Sequence, residues 1–520
     1  MTTDALRIRH LPFRRLHSTE IHLRYLEDDP TLTRLLGRRP VDADDLLRRA
    51  PLEARRLLPA GALSQAFAAY AERHGAPAAV RDNAARFAQG KTLVVVAGQQ
   101  PGLFGGPLYT VHKAATAVRL AQALRAANPG LDVVPVFWNH TDDHDLDEAN
   151  AAWFVNANQD VTKVRLDLRH SGECLRDVAV GHAMESALAA AADLLPHSEY
   201  RDQALAIFRP RHPDEHFGDG LARLLFALFG EDGLLVLEPR DLPPQALEVL
   251  PRWWESTAAI RSAIRNAIDE LADHGIESTL DPLGTLLFER QGNRRQPLSD
   301  GETIQRHGTL SPGVLLRPLW QDACLPNLAT VVGPGELAYL AIAGPIYKLL
   351  GVPQPALVPR ASMTLVEPSL AKLLKRFQWD LPDLGEGPER LASSLPSDEQ
   401  DAAETSLDDL TDVVKSRMGE IANRLREIDA NLVAPVERTR GKVMEELQKL
   451  TAKVRNARQN RQGTGQRQVR RLCANLRPRG RLQERVLSPL PFLVSHGFAL
   501  SRPILTAADP FGIQHALVDL

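Results

Sequence analysis

The sequence predicts an α/β protein: a Rossmann-like parallel-sheet core with insertions, joined to an α-helical antiparallel coiled-coil domain. Three observations carry that expectation. A β-branched apolar run, TLVVVAG at 92–98, leads directly into a glycine-rich loop and then a helical pattern. Strand, glycine turn and helix recur in that order in ATVVGPGELAYLAIAGPIYKLLG, from about residue 329. Beyond residue 406 the apolar residues fall at alternating steps of three and four, the period of a coiled coil.

Taken along the chain, residues 1–90 read as helical, in patterns such as LTRLLGRRP and DADDLLRRAPLEARRLL, and form an N-terminal segment packed on the core. The Rossmann-like core with its insertions spans 91–370. Its first strand ends in Gly98-Gln-Gln-Pro-Gly102-Leu-Phe-Gly105-Gly106-Pro107, and the helix LYTVHKAATAVRLAQALRAA follows with Pro107 near its first turn. A second buried strand, VVPVFW at 133–138, closes the βαβ unit. Further strands are expected at GLLVLEP (233–239) and in TLLFERQGNRRQPL (285–298), the latter a hairpin turning at Gly292-Asn293. PALVPRASMTLVE at 355–367 reads as one more buried strand. The Pro- and Gly-broken passage DLPDLGEGPERLASSLPSDEQ then opens a coiled-coil domain, 371–475. Its seam residues are Leu407, Leu410, Val414, Met418, Ile421, Leu425, Ile428 and Leu432, and after Pro435 come Val436, Val443, Leu447, Leu450 and Val454. A break at Ala434-Pro435 makes this a hairpin of two segments of about 25 residues each. Residues 476–520 are apolar enough to return to the core.

Composition narrows the function classes. A 44% hydrophobic and 24% charged chain is ordinary for a folded globular protein, and no run has the roughly 20 uninterrupted apolar residues of a membrane span. The opening MTTDALRIRHLPFRRLHSTE breaks before any apolar stretch develops, and three scattered cysteines (Cys174, Cys324, Cys473) form neither a disulfide framework nor a zinc site. A cytoplasmic protein with no membrane partner is expected. The net charge of −3 gives no global attraction to polyanions, although Arg455, Arg458, Arg461, Arg467, Arg470, Arg471, Arg477, Arg479, Arg481 and Arg485 make the C-terminal third basic. That stretch reads as a solvated helical face with a few internal ion pairs, or, on the sharper reading, as an anion or RNA site, the RNA reading lacking aromatic interleaving.

The second strand runs into Asn139-His140-Thr141-Asp142-Asp143-His144-Asp145-Leu146-Asp147-Glu148, seven of whose ten residues can carry charge. Carboxylates this dense repel one another unless a cation, a metal or a substrate amine meets them. Ligands of open α/β sheets bind outside the carboxyl ends of the strands, so the 98–113 loop-helix and the 142–145 cluster are expected to line one pocket. A simpler reading is a helix start capped by Thr141 or Asp142. On a strand-like backbone His140, Asp142 and His144 would turn to one side as metal ligands; a turn or helix start would scatter them, and no metal is expected. Arg317 and Arg360 stand beside these elements as carboxylate or phosphate partners.

Five ordered segments, AGQQPGLFGGPLYTVHKA, VPVFWNHTDDHDLDE, RPLWQDACLPNLATVVGPGELAYL, VPRASMTLVE and RPRGRLQER, resemble the BshC family of bacillithiol synthesis, from about residue 90 to the C-terminus. The resemblance implies a coiled-coil homodimer and a ligase that adds cysteine to the amino group of glucosaminyl-malate. It implies a site of Gln99, Gln100, Gly102, Gly105, Gly106, Tyr109, His112, Lys113, Trp138, Asp142, Asp143, His144, Asp145, Arg317, Gly333, Gly335, Glu336 and Tyr339. Amide formation from a carboxylate needs activation, and analogy with class I aminoacyl-tRNA synthetases suggests ATP, although their HxGH and KMSKS signatures are absent. On that footing the amides at 102–106 and the helix start at Pro107 would bind an anion, and Lys113 or Arg317 would offset charge in the transition state. His144 or His112 would act as general base, with Asp142, Asp143 and Glu336 holding the ammonium group. The competing readings are a tRNA-related, synthetase-like binding protein and a ligand-sensing coiled-coil scaffold without catalysis.

Overall fold

The computed structural model describes residues 6–50, 57–168, 172–277, 281–305, 307–395, 398–429 and 432–520, with the side chains of 307, 398–404 and 455–462 outside the description. Two compact units make up the chain: residues 1–371 with 481–520, and residues 372–480.

The first unit is built on a five-stranded sheet. β1 (Leu93–Gln99), β2 (Val133–Asn139), β3 (Leu235–Leu237), β4 (Asn327–Val332) and β5 (Ala356–Pro359) lie in the order β3-β2-β1-β4-β5. All four pairings are parallel. The continuous apolar runs follow from burial on both faces: Val94, Val95, Val96, Val134, Val136 and Phe137 have no measurable exposure. The helix α1 (Tyr109–Ala127) carries the chain from β1 to β2, and α2 (Glu336–Leu350) carries it from β4 to β5. The strand order reverses between β1 and β4, and the carboxyl ends of those two strands open a crevice between them.

Residues 285–298 form the expected hairpin, Leu287–Gln291 with Arg294–Pro297, turning at Gly292-Asn293. Two expectations need correction. The first 90 residues are helical at Glu20–Leu26, Pro30–Leu36, Ala43–Arg49, Ala60–Arg73 and Ala78–Arg86, but Ile8–Pro12 is a strand, antiparallel to Gln514–Asp519 at the other end of the chain. Residues 355–367 are two strands in two sheets, because the chain leaves the main sheet after Pro359 and Met363–Val366 pairs in parallel with Gln514–Asp519. Arg360 lies between the two strands, its backbone N–H still bonded to Val332 O at 2.8 Å, and is thereby set at the crevice.

The second unit holds two long helices that pack on each other, α3 (Asp398–Ile428) and α4 (Val433–Leu476). The break falls before Val433, so Pro435 sits in the first turn of α4, where a missing N–H costs nothing. At 44 residues α4 is far longer than expected. The observed seam of α3 also differs: Leu407, Thr411, Val414, Met418, Ala422 and Leu425 are at least half-buried, whereas Leu410, Ile421 and Ile428 are exposed. Among the described residues no helix is long and apolar enough to cross a membrane.

Candidate active site

The crevice at the reversal of strand order is a cleft of about 300 Å³. Its floor comes from the ends of β1, β2 and β4, which deliver Gln99, Trp138, His140 and Gly333. Its walls are Tyr109 and Lys113 on α1, Glu336 and Tyr339 on α2, and Arg317 on the helix Leu316–Cys324. Arg360 and Arg485 complete the rim.

A hydrogen-bonded chain runs across it. Lys113 Nζ donates to Gly98 O at 2.8 Å and Gln99 Oε1 at 3.0 Å, and lies 2.6 Å from Glu336 Oε2. Burial drives the Lys113 pKa down, and the Glu336 carboxylate pulls against that shift. Burial likewise works to raise the Glu336 carboxyl, but Lys113 and the Gly333 N–H, which donates to Oε2 at 2.6 Å, hold it below its ordinary value. Tyr339 Oη donates to Glu336 Oε1 at 3.2 Å and accepts from Arg317 Nη2 at 3.3 Å. Arg317 Nη1 in turn lies 3.3 Å from His140 Nδ1. Burial, then the charges of Arg317 and Arg295, push the His140 pKa well below 6.5, so this imidazole is neutral. Asp143 Oδ2 is 3.8 Å from His140 Nδ1. Lys113 is matched by Glu336 and Arg360 by the buried Glu484, which leaves Arg317 and Arg485 facing one carboxylate, Asp143. The cleft therefore carries a net positive charge and suits an anion.

Of the residues expected at the site, the cleft gathers Gln99, Gln100, Tyr109, Lys113, Trp138, Asp143, Arg317, Gly333, Gly335, Glu336 and Tyr339. The others lie elsewhere. Gly102, Gly105 and Gly106 do not line it: the loop turns on itself through Gly105 N–Gly102 O and Gly106 N–Leu103 O bonds, and a Cβ at Gly105 would press on Leu224 and Pro489. Gly105 serves close packing, and Gly106, at φ +68°, serves the turn. His112 is wholly buried, bonded to Glu484 at 3.0 Å, and is not a cleft residue. Asp142 is held by Arg176 at 2.7 Å and so has no ammonium left to seek. Asp145 caps the short helix Leu146–Ala149, accepting from Glu148 N at 3.0 Å. His144 is half exposed in an acidic depression with Asp145, Asp147 and Glu148, which meets the cleft at Gln100 and Asp143.

Because no strand follows Asn139, His140, Asp142 and His144 diverge to Arg317, Arg176 and Phe288. Among the described residues no group of three or more His, Cys, Asp and Glu side chains is placed to hold a metal. Sequence reasoning names His140 only within the charged run and as a metal ligand, misses Glu484 as the partner of Arg360, and leaves Arg485 between a solvated basic face and an anion or RNA site. A local signal existed only for His140, which directly follows the end of β2. Of the same basic stretch, the side chains of Arg455, Arg458 and Arg461 lie outside the described residues, and Arg477 is buried.

Comparison with known families agrees along the chain. The model for the bacillithiol biosynthesis BshC N-terminal Rossmann-like domain matches residues 6–309 and 301–361. The model for the BshC C-terminal coiled-coil domain matches residues 363–520. A Salinibacter ruber protein named "Putative cysteine ligase BshC" is 30% identical over 458 residues, covering 82% of this chain and 83% of its own. A protein of the same name from Koribacter versatilis is 31% identical over 465 residues, covering 84% and 86%.

Proposed function

The chain belongs to the bacillithiol biosynthesis BshC family, and from that premise we propose that it is a cysteine ligase that joins the carboxyl group of cysteine to the amino group of glucosaminyl-malate. The observation that carries the substrate assignment is the charge pattern of one continuous surface. A cationic cleft bearing Arg317 and Arg485 meets an acidic depression bearing Asp145, Asp147 and Glu148, and Asp143 stands at the seam. A substrate with malate carboxylates at one end and an amine at the other matches that pattern. The ammonium group would sit on the Asp143 side, where this carboxylate alone of the three acids expected for the task is not engaged by a cationic side chain at hydrogen-bond distance.

Amide formation requires the amine to lose its proton before it attacks. His140 and Asp143 are the groups placed to receive it. The His140 ring is neutral partly because Arg317 repels its charged form, and an anion seated on Arg317 offsets that repulsion and raises the basicity of the ring. The cysteines offer no competing thiolate: Cys174, Cys324 and Cys473 are all buried, and burial pushes the first and last up to about 12 and Cys324 higher still.

ATP, as the group that would activate the cysteine carboxylate, fits the same cleft. Gly335 at the start of the 15-residue α2 has open space where a Cβ would project, so a phosphate can approach that helix end. Trp138 lines the cleft with its indole N–H buried and without a partner. Lys113, Arg317 and Arg485 would hold the phosphates and offset charge in the transition state.

The arm supports a homodimer. Leu410, Val413, Ile421 and Leu450 are 45–56% exposed on helices that already pack on each other, and a second copy of the chain would cover them. Light scattering on the intact chain should then give twice the monomer mass. Thiol profiling of a strain lacking the gene tests the enzymatic reading. Bacillithiol should disappear and glucosaminyl-malate accumulate; an unchanged bacillithiol pool overturns the reading.

A further inference from the structure

Arg360 is the one cleft cation whose acid partner lies behind the cleft wall. That partner, Glu484, is 1% exposed and sits in the short turn Gln483–Arg485. All its acceptor positions are used. Oε1 accepts from Arg360 Nη2 and from Ser362 Oγ, both at 2.7 Å, and Oε2 accepts from His112 Nδ1 and Met363 N, both at 3.0 Å. Burial works to raise this carboxyl, yet Arg360 and the His112 hydrogen bond hold it well below the usual range, so it is an ionised, acceptor-only group.

That fixes the protons around it. His112 must donate through Nδ1, and burial drives its pKa down, so it is a neutral donor. Ser362, having given its proton to Glu484, accepts from His515 Nδ1 at 2.8 Å, and His515 Nε2 accepts from Thr364 Oγ1 at 2.9 Å. One negative charge therefore meets one positive charge, and the other donors are neutral.

The arrangement locks Arg360 from two sides. Its backbone N–H bonds to Val332 O at 2.8 Å, tying it to the end of β4, and its guanidinium lies over the Tyr109 ring with 5.5 Å to the centroid. Nη1 donates to Ala361 O at 3.2 Å and Nη2 to Glu484. Further N–H donors of the fork remain at the cleft, which Arg360 lines. A buried ion pair adds little net stability over apolar packing, whereas a free arginine loses much rotamer freedom on meeting a ligand. An already fixed guanidinium avoids that loss.

We infer that Glu484 is a positioning residue, whose buried carboxylate presents Arg360 to the anionic part of the substrate. The inference rests on the reading of the cleft as the substrate site. The same turn sends the neighbouring Arg485 into the cleft, so three consecutive residues supply one cation and orient another.

The test is calorimetric titration of L-malate into the full-length chain and into Glu484→Gln, Ser362→Ala, Arg360→Met and the two doubles that combine each of the first two with Arg360→Met, with thermal melts of every variant. Glu484→Gln should weaken malate about tenfold and Ser362→Ala about threefold, and neither should weaken it further once Arg360 is Met. If Glu484→Gln does not fold, the Ser362→Ala cycle decides alone. Losses that persist in the Arg360→Met background mark a merely structural role and overturn the inference, as does a wild-type chain that binds no malate. Product formation by the same wild-type sample from cysteine, glucosaminyl-malate and ATP is read separately. The malate pattern without product sinks the ligase reading and leaves the positioning role standing.

Discussion

Replacing Lys113 by Met removes a buried ammonium that holds Gly98 O, Gln99 Oε1 and Glu336 Oε2 at 2.8, 3.0 and 2.6 Å. The methionine fills nearly the same volume, so packing is conserved and the loss is electrostatic. Lys113 is 3% exposed and Glu336 27%, so water relieves part of the stranded carboxylate, and the cost sits at the low end for a broken buried pair, about 3 kcal/mol. With an unfolding entropy of about 2.1 cal/mol/K per residue over the roughly 400 residues of the first unit, that is a fall in Tm of about 3–4 °C. The double variant Lys113→Met/Glu336→Gln leaves no unpaired charge and should recover most of that stability. Catalysis behaves differently if the ammonium offsets transition-state charge: the rate of product formation should fall at least about a hundredfold in the single variant and stay down in the double. Scanning calorimetry and initial rates on the same preparations give both numbers. A double variant that regains rate together with stability refutes the catalytic role of Lys113.

His140→Gln should lower kcat/KM about a hundredfold. Because the His140 pKa is held well below 6.5, this ring should add no inflection at 6.5 to the wild-type profile; an inflection at 6.5 that vanishes in the variant contradicts the assignment. Gly105→Ala, at φ +84° with Leu224 and Pro489 in the way, should cost about 2–4 kcal/mol of stability in denaturant titrations yet leave malate affinity within about twofold. An affinity that falls with it would return the 102–106 loop to the site. Acid stability follows from five buried histidines whose pKa values burial lowers: His22 to about 4, His74 and His216 to about 3, and His112 and His140 in the same direction. The unfolded chain binds these protons first, so their contribution is full above pH 6.5 and lost as pH falls below it. Glu238, raised to about 7, and Asp322, raised to about 6, work the other way and return stability as pH falls. Between pH 6 and 5 the protons taken up by the unfolded histidines outnumber those held by the two folded acids, so stability should fall, and equal denaturant midpoints at the two pH values would contradict it.

The sheet and its two Rossmann-like crossovers are legible because fully buried strands write themselves as continuous β-branched runs and both turns carry glycine. What escaped depends on partners far along the chain. Ile8–Pro12 is a strand only because Gln514–Asp519 pairs with it. The acidic run 142–148 reads as one cluster, yet its members separate once Arg176 takes Asp142, a helix end takes Asp145, and His140 turns to Arg317. Two glycine loops look alike in sequence, but the first is consumed by packing against Leu224 and Pro489 while Gly335 is left open. Glu484 lies more than 120 residues from Arg360, across the whole helical arm, with no local pattern to mark the pairing. The coiled-coil period was read at 3.5, whereas the observed seam shifts to Thr411 and Ala422, a drift toward the 3.6 of a straight helix that leaves Leu410 and Ile421 outside.

On the proposed function, an amide bond between cysteine and glucosaminyl-malate forms at the cationic cleft on the carboxyl ends of β1, β2 and β4. Mass-spectrometric detection of that amide, after incubating the purified chain with cysteine, glucosaminyl-malate and ATP, tests it most directly when Arg317→Ala is run beside the wild type. Product is expected from the wild type, and at least about a hundredfold less from Arg317→Ala at a nearly unchanged Tm. Absence of the amide from the wild-type reaction, or an undiminished yield from Arg317→Ala, contradicts it.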